Sequence, residues 1–497
     1  MALSPVDLLI VAAYLIGITI FGLRFASKER SLRTYFLADR GIPAWAIALS
    51  IVSAETSTLT IISIPGLAYD TNFGFLQLVF GYLLGRVVIS WVLLPAYFRG
   101  EIYTAYELID RRFGPKLHKL TASTFLATRA VAEGVRVFAI SIVVNIALEK
   151  HLLHYMSPGS ATVAAIAIVA ALTLVYTLEG GMRAVIWTDV VQMFIYMGGA
   201  LVGFWTIIHL VNGGWPAIEA IARPAGKLQV FNWSTSFSVT FTFWAGLIGG
   251  MFLTMASHGT DQLMVQRLLA AKDLKQSRAA LLGSGVAILV QFTLFLLVGA
   301  SLWAHYAGIK FERSDRIFPS FIVAEMPHGI AGLLIAAILA AAMSNLSAAL
   351  NSLSSSTVMD FYLRFRPNAD DAQRIRVSRM ATLFWSVALF GLAIVTQFGG
   401  QRVIELGLSI ASIPYGGLLG VFLLGTLTSR VDERSAIIGM ICGVTTNLLL
   451  WTAPRVGWVD PARAVAWTWY VVIGTTITFG VAYAASMMRS NANRARA

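Results

Sequence analysis

SAETSTLTIISIPG, residues 53–66, lies inside an apolar run that extends over 43–69. Such a run is long enough to cross a bilayer, which takes about 20 mostly apolar residues. Its first half is nonetheless small and polar, with Ser53, Glu55, Thr56, Ser57, Thr58 and Thr60 in close order, and it ends on Pro65 and Gly66. A second segment of the same character, GLIGGMFLTMASHGTDQ (246–262), occurs about five apolar runs later. Interrupted apolar segments at matching positions in two halves of a chain point to an inverted repeat with a binding site at the breaks. The expected fold class is therefore an all-α polytopic membrane protein.

The rest of the chain agrees. Of its 497 residues 57% are hydrophobic and 12% charged, whereas a soluble domain carries about 25% charged residues. Apolar runs recur with short gaps at 6–24, 43–69, 76–98, 120–148, 160–179, 183–211, 238–266, 279–304, 327–362, 377–398, 402–428, 433–452 and 463–487, about 13 expected transmembrane helices. The first run lacks a basic leading region and a small-residue cleavage site, so it reads as a retained span. Cys442 is the lone cysteine and sits in an apolar run, which excludes an internal disulfide framework.

The net charge of +12 forms no basic domain or helical face, so a nucleic-acid partner is not expected. It sits in short loops such as 28–40, 111–119, 267–278, 362–379 and 429–434. The side of the membrane that holds these loops and the tail has about 25 Lys and Arg, and the other about 9. The expected location is the cell's inner (plasma) membrane, and that bias puts the N-terminus outside and the C-terminus in the cytoplasm. The segment 100–114, GEIYTAYELIDRRFG, reads as a short interfacial helix.

Ionisable groups kept inside apolar spans mark sites, because each costs about 2.5–3.5 kcal/mol at mid-bilayer. Here they include Glu55, Arg86, Arg129, Glu133, Arg136, Asp189, Asp261 and Glu405. Glu133 stands four residues after Arg129 and three before Arg136, so the three share a helical face and can neutralise one another. The run LAAAMSNLSAALNSLSSSTVMDFY (339–362) aligns Ser344, Ser347, Asn351 and Ser354 on one face, with Asn345 beside them. A lone hydroxyl can bond back to its own helix, but this row of neutral oxygens suits a hard monovalent cation. Glu55 could ligate, carry a proton or pair with an arginine, and Asp189 could pair with Arg183 or cap a helix. GxSxG, HExxH, CxxC and Walker-type patterns are absent, and the seven histidines show no metal spacing, so no enzyme is expected.

Three blocks then carry a resemblance: YTLEGGMRAVIWTDVVQ (176–192), ASHGTDQLMVQRLLAAKD (256–273) and SAETSTLT (53–60). Together they resemble the sodium:solute symporter family, which includes bacterial proline, sialic acid and galactose symporters. The resemblance implies the leucine-transporter-type fold in a single transport domain. An extra span and loop (1–40) would precede a first five-helix repeat (41–211) and an inverted second one (238–428), with two further spans and a tail (429–497). It implies sodium as the coupling ion, held by main-chain oxygens of Ser53 and Thr56 with Ser344 and Asn345. A second sodium, carried by some relatives, would use Asp189, Ser344 and Ser347, although Ala348 stands where such relatives have a serine. The solute site would involve Ser57, Thr60, Gln77 and Arg136.

The resulting expectation is a sodium-coupled symporter that imports a small polar solute by alternating access. An organic anion is favoured, since an arginine fork suits a carboxylate. A neutral sugar or amino acid, or coupling to protons, stays open, with a channel or a non-transporting membrane protein as remoter readings. A single copy would suffice, and the sequence leaves the oligomeric state open.

Overall fold

A computed structural model describes residues 3–25, 32–100, 102–152, 156–395 and 403–494. The described chain is a bundle of helices whose one strand-like feature among these residues is an isolated parallel bridge between Ile42 and Ala271. In chain order the main helices are α1 (Pro5–Leu23), α2 (Ala44–Glu55), α3 (Thr58–Asp70), α4 (Phe75–Val92), α5 (Tyr106–Arg112), α6 (Pro115–Leu152) and α7 (Pro158–Leu210). There follow α8 (Gly250–Gly259), α9 (Gln262–Leu269), α10 (Leu274–His305), α11 (Ile330–Ser356), α12 (Asp371–Val395), α13 (Val403–Leu427), α14 (Glu433–Thr452) and α15 (Tyr470–Arg494).

Among the described residues nine helices are long and apolar enough to cross a membrane, and α2 with α3, bent by 65° at their junction, make a tenth. The other three expected spans are helical but depart from a plain apolar rod. That at 120–148 belongs to α6, which carries Arg129, Glu133 and Arg136. That at 160–179 is the first part of α7, and that at 238–266 is split between α8 and α9. The short interfacial helix expected within 100–114 is α5.

Burial ranks the helices. Along the membrane-length stretch of α11, 94% of residues are buried, against 22% for α1. A helix enclosed on all sides in a bilayer can keep polar groups only if protein partners satisfy them. Ser344, Asn345, Ser347 and Asn351 all lie on this central helix. The helix α1 is peripheral, and its exposed Leu9, Ile16 and Ile20 suit lipid contact.

Two joints place the site. Gly181 interrupts α7 with φ 53° and ψ −153°, a backbone conformation that side chains resist. A Cβ there would also stand 2.6 Å from the Tyr35 carbonyl oxygen. The kink lets the following Gly181–Leu210 stretch turn back into the membrane and carry Asp189 to the bundle centre. At the far end of α3, Lys227 reaches in from the connecting loop and donates to the carbonyls of Tyr69 (2.6 Å) and Asp70 (3.2 Å). These are helix-end carbonyls, which lack helical donors. Burial lowers the pKa of the Lys227 ammonium, and the nearby Asp70 carboxylate pulls it back up.

Gly181→Ala is expected to cost about 1–3 kcal/mol for the backbone alone. Thermal unfolding of the purified variant in detergent checks this; an unchanged melting temperature would show that the kink tolerates a side chain.

Candidate functional site

The site begins at the interruption between α2 and α3. Ser57 caps α3: its backbone N–H turns to the Thr60 hydroxyl (3.3 Å), and Thr60 N–H bonds the Ser57 carbonyl (2.9 Å). Both donors are thereby diverted from the carbonyls four residues earlier. Ser53 and Thr56 thus lose the helical partners their carbonyls would have in an unbroken helix. These are the two main-chain oxygens assigned to sodium by resemblance.

Facing them, α11 brings Ser344, whose hydroxyl donates to Asp189 Oδ1 at 2.6 Å. That proton being committed, Ser53 Oγ donates to Ser344 Oγ at 2.8 Å. Asp189 Oδ2 accepts from the Ser50 hydroxyl (2.5 Å) and from Arg267 Nη2 (2.9 Å). The Asp189 and Arg267 side chains are both 0% exposed. Arg267 further donates through Nε to Ser50 and through Nη1 to the Leu263 carbonyl. Asp189 is therefore met by Arg267 of α9 and not by Arg183, which is exposed. Ser347 bonds back to the Ser344 carbonyl at 2.9 Å. Thr56 Oγ1 accepts from Gln291 Nε2 at 2.6 Å, and Tyr196 donates to Gln291 Oε1 at 3.3 Å.

Asn345 props the break. Its Nδ2 donates to the Ala54 carbonyl at 2.7 Å, while its oxygen, the atom expected to face the ion, accepts from Arg136 Nη1 at 3.4 Å. Arg136 Nη1 also binds Glu133 Oε1 at 2.7 Å, and the same oxygen accepts from Arg129 Nη1 at 2.7 Å. Arg129 Nη2 then reaches Asp261 Oδ2 at 2.6 Å, where Tyr415 also donates at 2.7 Å. Asp261 caps α9 at the second interruption, so this chain of charges joins α6 to that break.

At the first break Glu55 Oε2 is paired with Arg86 Nη2 and lies 3.3 Å from His258 Nε2. The first interrupted helix is thereby joined to α4 and to the end of α8.

A cavity of about 840 Å³, counting the solvent at its mouth, opens between the two interruptions. Ser57, Thr60 and Arg136 line it, together with Glu55, Arg129, Ser257, His258 and Tyr415. Gln77, assigned to the solute by resemblance, is not on its wall. The Gln77 amide is spent on the loop before α8, accepting from Asn232 N–H (3.0 Å) and donating to the carbonyls of Gly74 (3.1 Å) and Phe241 (3.4 Å). Arg267, Gln291 and Tyr196 escaped the sequence reading. Arg267 alone left a usable trace, as a buried Asp189 demands a cation close by.

Removing one partner of a buried ion pair costs about 3–5 kcal/mol because the other is left uncompensated. Arg267→Gln should therefore destabilise the protein strongly, and adding Asp189→Asn should recover much of the loss. Melting curves of the wild type, both single variants and the double variant measure the coupling; additive losses would mean the two side chains act independently.

A model of the sodium:solute symporter family matches residues 35–443. The chain is 27% identical to a sodium/sialic acid symporter of Aliivibrio fischeri, over 97% of this chain and 93% of that one. It is 28% identical to a sodium/sialic acid symporter of Proteus mirabilis, over 88% of each. Among solved structures, a substrate-bound, outward-open sodium-coupled sialic acid symporter superposes with a TM-score of 0.83 at 25% identity, covering 98% of both chains. The nucleobase-cation symporter Mhp1 shares the fold alone, with a TM-score of 0.55 at 12% identity over 92% of this chain and 95% of that one. The architecture is the leucine-transporter-type fold, and the chain belongs to the sodium:solute symporter family of membrane transporters.

Proposed function

We propose that this protein is a sodium-coupled symporter that imports a small organic anion by alternating access. The observation that carries the reading is the free edge of Arg136. Among the described residues only its Nη1 is bonded to protein, its side chain is 25% exposed, and it lines the cavity between the two helix breaks. A guanidinium edge presents paired donors that match a carboxylate. Ser57 and Thr60 sit on the same wall and can bind the solute's other oxygens. The relatives named as sodium/sialic acid symporters support an organic anion.

For sodium, the freed carbonyls of Ser53 and Thr56 and the hydroxyl of Ser344 form an oxygen set at the break, while Asn345 holds the break in shape. A second ion at Asp189, Ser344 and Ser347 would have to share a carboxylate that Arg267 already neutralises, so we take one sodium per cycle. One sodium with one carboxylate moves no net charge, so a membrane potential, worth about 2.3 kcal/mol per charge at 100 mV, does not contribute. A tenfold sodium gradient then supports about tenfold accumulation. The two inverted five-helix repeats, at 41–211 and 238–428, would rock about this central site, with the N-terminus outside and the C-terminus in the cytoplasm.

Uptake into proteoliposomes tests the reading. The expected result is sodium-dependent accumulation of a carboxylate that ignores an imposed potential; uptake driven by a pH gradient in sodium-free buffer would contradict it. Ser344→Ala should raise the sodium concentration for half-maximal uptake at least tenfold, with an unchanged value removing Ser344 from the ion site. Arg136→Lys keeps the charge but loses the planar fork. Its apparent affinity for the solute should fall at least tenfold, and an unaltered affinity would remove the fork from recognition.

A further inference from the structure

The cavity has a second polar pole, built from Glu55. Every donor group of Arg86 is committed: Nη2 to Glu55 Oε2, Nε to the Ser284 hydroxyl (3.2 Å) and Nη1 to the Tyr82 carbonyl (3.4 Å). Arg86 is 1% exposed, so it anchors Glu55 from behind without reaching the cavity. His258 flanks the same carboxylate oxygen and is itself held by the Ser257 hydroxyl at 2.9 Å. Glu55 Oε1 has no partner among the described residues, and the side chain, 15% exposed, lines the cavity. The carboxylate is thus fixed in direction by one oxygen and offers the other.

Formal charges close within each cluster. Glu55 balances Arg86, while Glu133 and Asp261 balance Arg129 and Arg136. What the cavity lacks is not charge but hydrogen-bond partners: acceptors for the outer edge of Arg136 and a donor for Glu55 Oε1. A site that buries a polar group rejects a ligand that leaves the group unpaired more strongly than it rewards apolar contact. A simple aliphatic acid would satisfy Arg136 and cover Glu55 with hydrocarbon, desolvating its free oxygen without replacing the lost water.

Building on the organic-anion reading, we infer that Glu55 is a solute-contacting residue. The solute is then an organic anion carrying a hydrogen-bond donor, a hydroxyl, that reaches Glu55 Oε1 while its carboxylate binds Arg136. The aromatic and aliphatic wall between the poles, with Phe75, Phe292, Leu59 and Leu408, covers the solute's carbon skeleton.

Two matched sets of acids test this by calorimetric titration of the wild-type protein in sodium buffer: propionate, lactate and β-alanine, then hexanoate, gluconate and 6-aminohexanoate. In at least one set a donor-bearing acid should bind at least tenfold more tightly than its plain counterpart. Glu55→Gln should cut that preference to under threefold while leaving the plain acid within twofold. Plain acids that bind as well as both substituted forms would overturn the inference while leaving the organic-anion reading intact. A preference that survives Glu55→Gln would overturn the assignment to Glu55. If none of the six binds in sodium, both readings fall. Should Glu55→Gln not fold, the wild-type ratios decide alone. A winning amino acid, which with one sodium carries current, would leave the Glu55 contact standing and overturn the organic-anion reading.

Discussion

An interrupted helix inside a bilayer leaves backbone carbonyls and amides that lipid cannot satisfy, and the whole site follows from how those groups are met. At the first break Ser57 and Thr60 take care of the amides, which frees the Ser53 and Thr56 carbonyls. Asn345 of the central helix supplies a donor to the Ala54 carbonyl. At the second break Asp261 caps α9 with one oxygen and accepts from Arg129 and Tyr415 with the other. Each interruption is therefore held from outside by a neighbouring helix. Those holding contacts are polar, directional and few, which is what a site that must rearrange requires.

Among the described residues, three buried ion pairs tie the breaks to the helices around them. Asp189 with Arg267 binds the Gly181–Leu210 stretch to α9, Glu55 with Arg86 binds α2 to α4, and Arg129 with Asp261 binds α6 to α9. Pairing of this kind rarely adds net stability over apolar packing, but breaking one half is costly. The pairs thus fix which helices move together. Because α9 receives two of the three links, the segment after the second break is tied to α6 and α7, both outside its own half of the chain. A motion that opens the cavity on one side has to carry or sever those links.

Much of the fold was legible because a bilayer imposes one rule that sequence obeys openly. Spans are apolar, loops hold the Lys and Arg, and the two polar, glycine-rich segments stand out as breaks. Ser344 beside Ser53, and Asp189 beside Ser344, were likewise implied by the family resemblance. The remainder depended on partners that sequence spacing does not reveal. Asn345 offers either an oxygen or a nitrogen, and only the nearby Ala54 carbonyl and Arg136 settle which way its amide points. Gln77 sits one turn along a span facing the cavity region, yet the long loop before α8 folds onto it and takes its amide. Arg267 lies on α9 and Asp189 on α7, 78 residues apart in sequence, so their pairing is a property of the folded bundle. Gly181 was the opposite case: it lies within a recognisable block, but its role is steric and rests on a backbone angle.

The central claim is that one polar site between two broken helices binds sodium and an organic anion together. It is tested most directly by thermal shift of the purified protein against a panel of sugars, amino acids and carboxylates, each with sodium and with choline in its place. The account predicts carboxylate hits that stabilise the protein in sodium and vanish in choline. Hits of equal size in both salts, or hits confined to sugars, would contradict it.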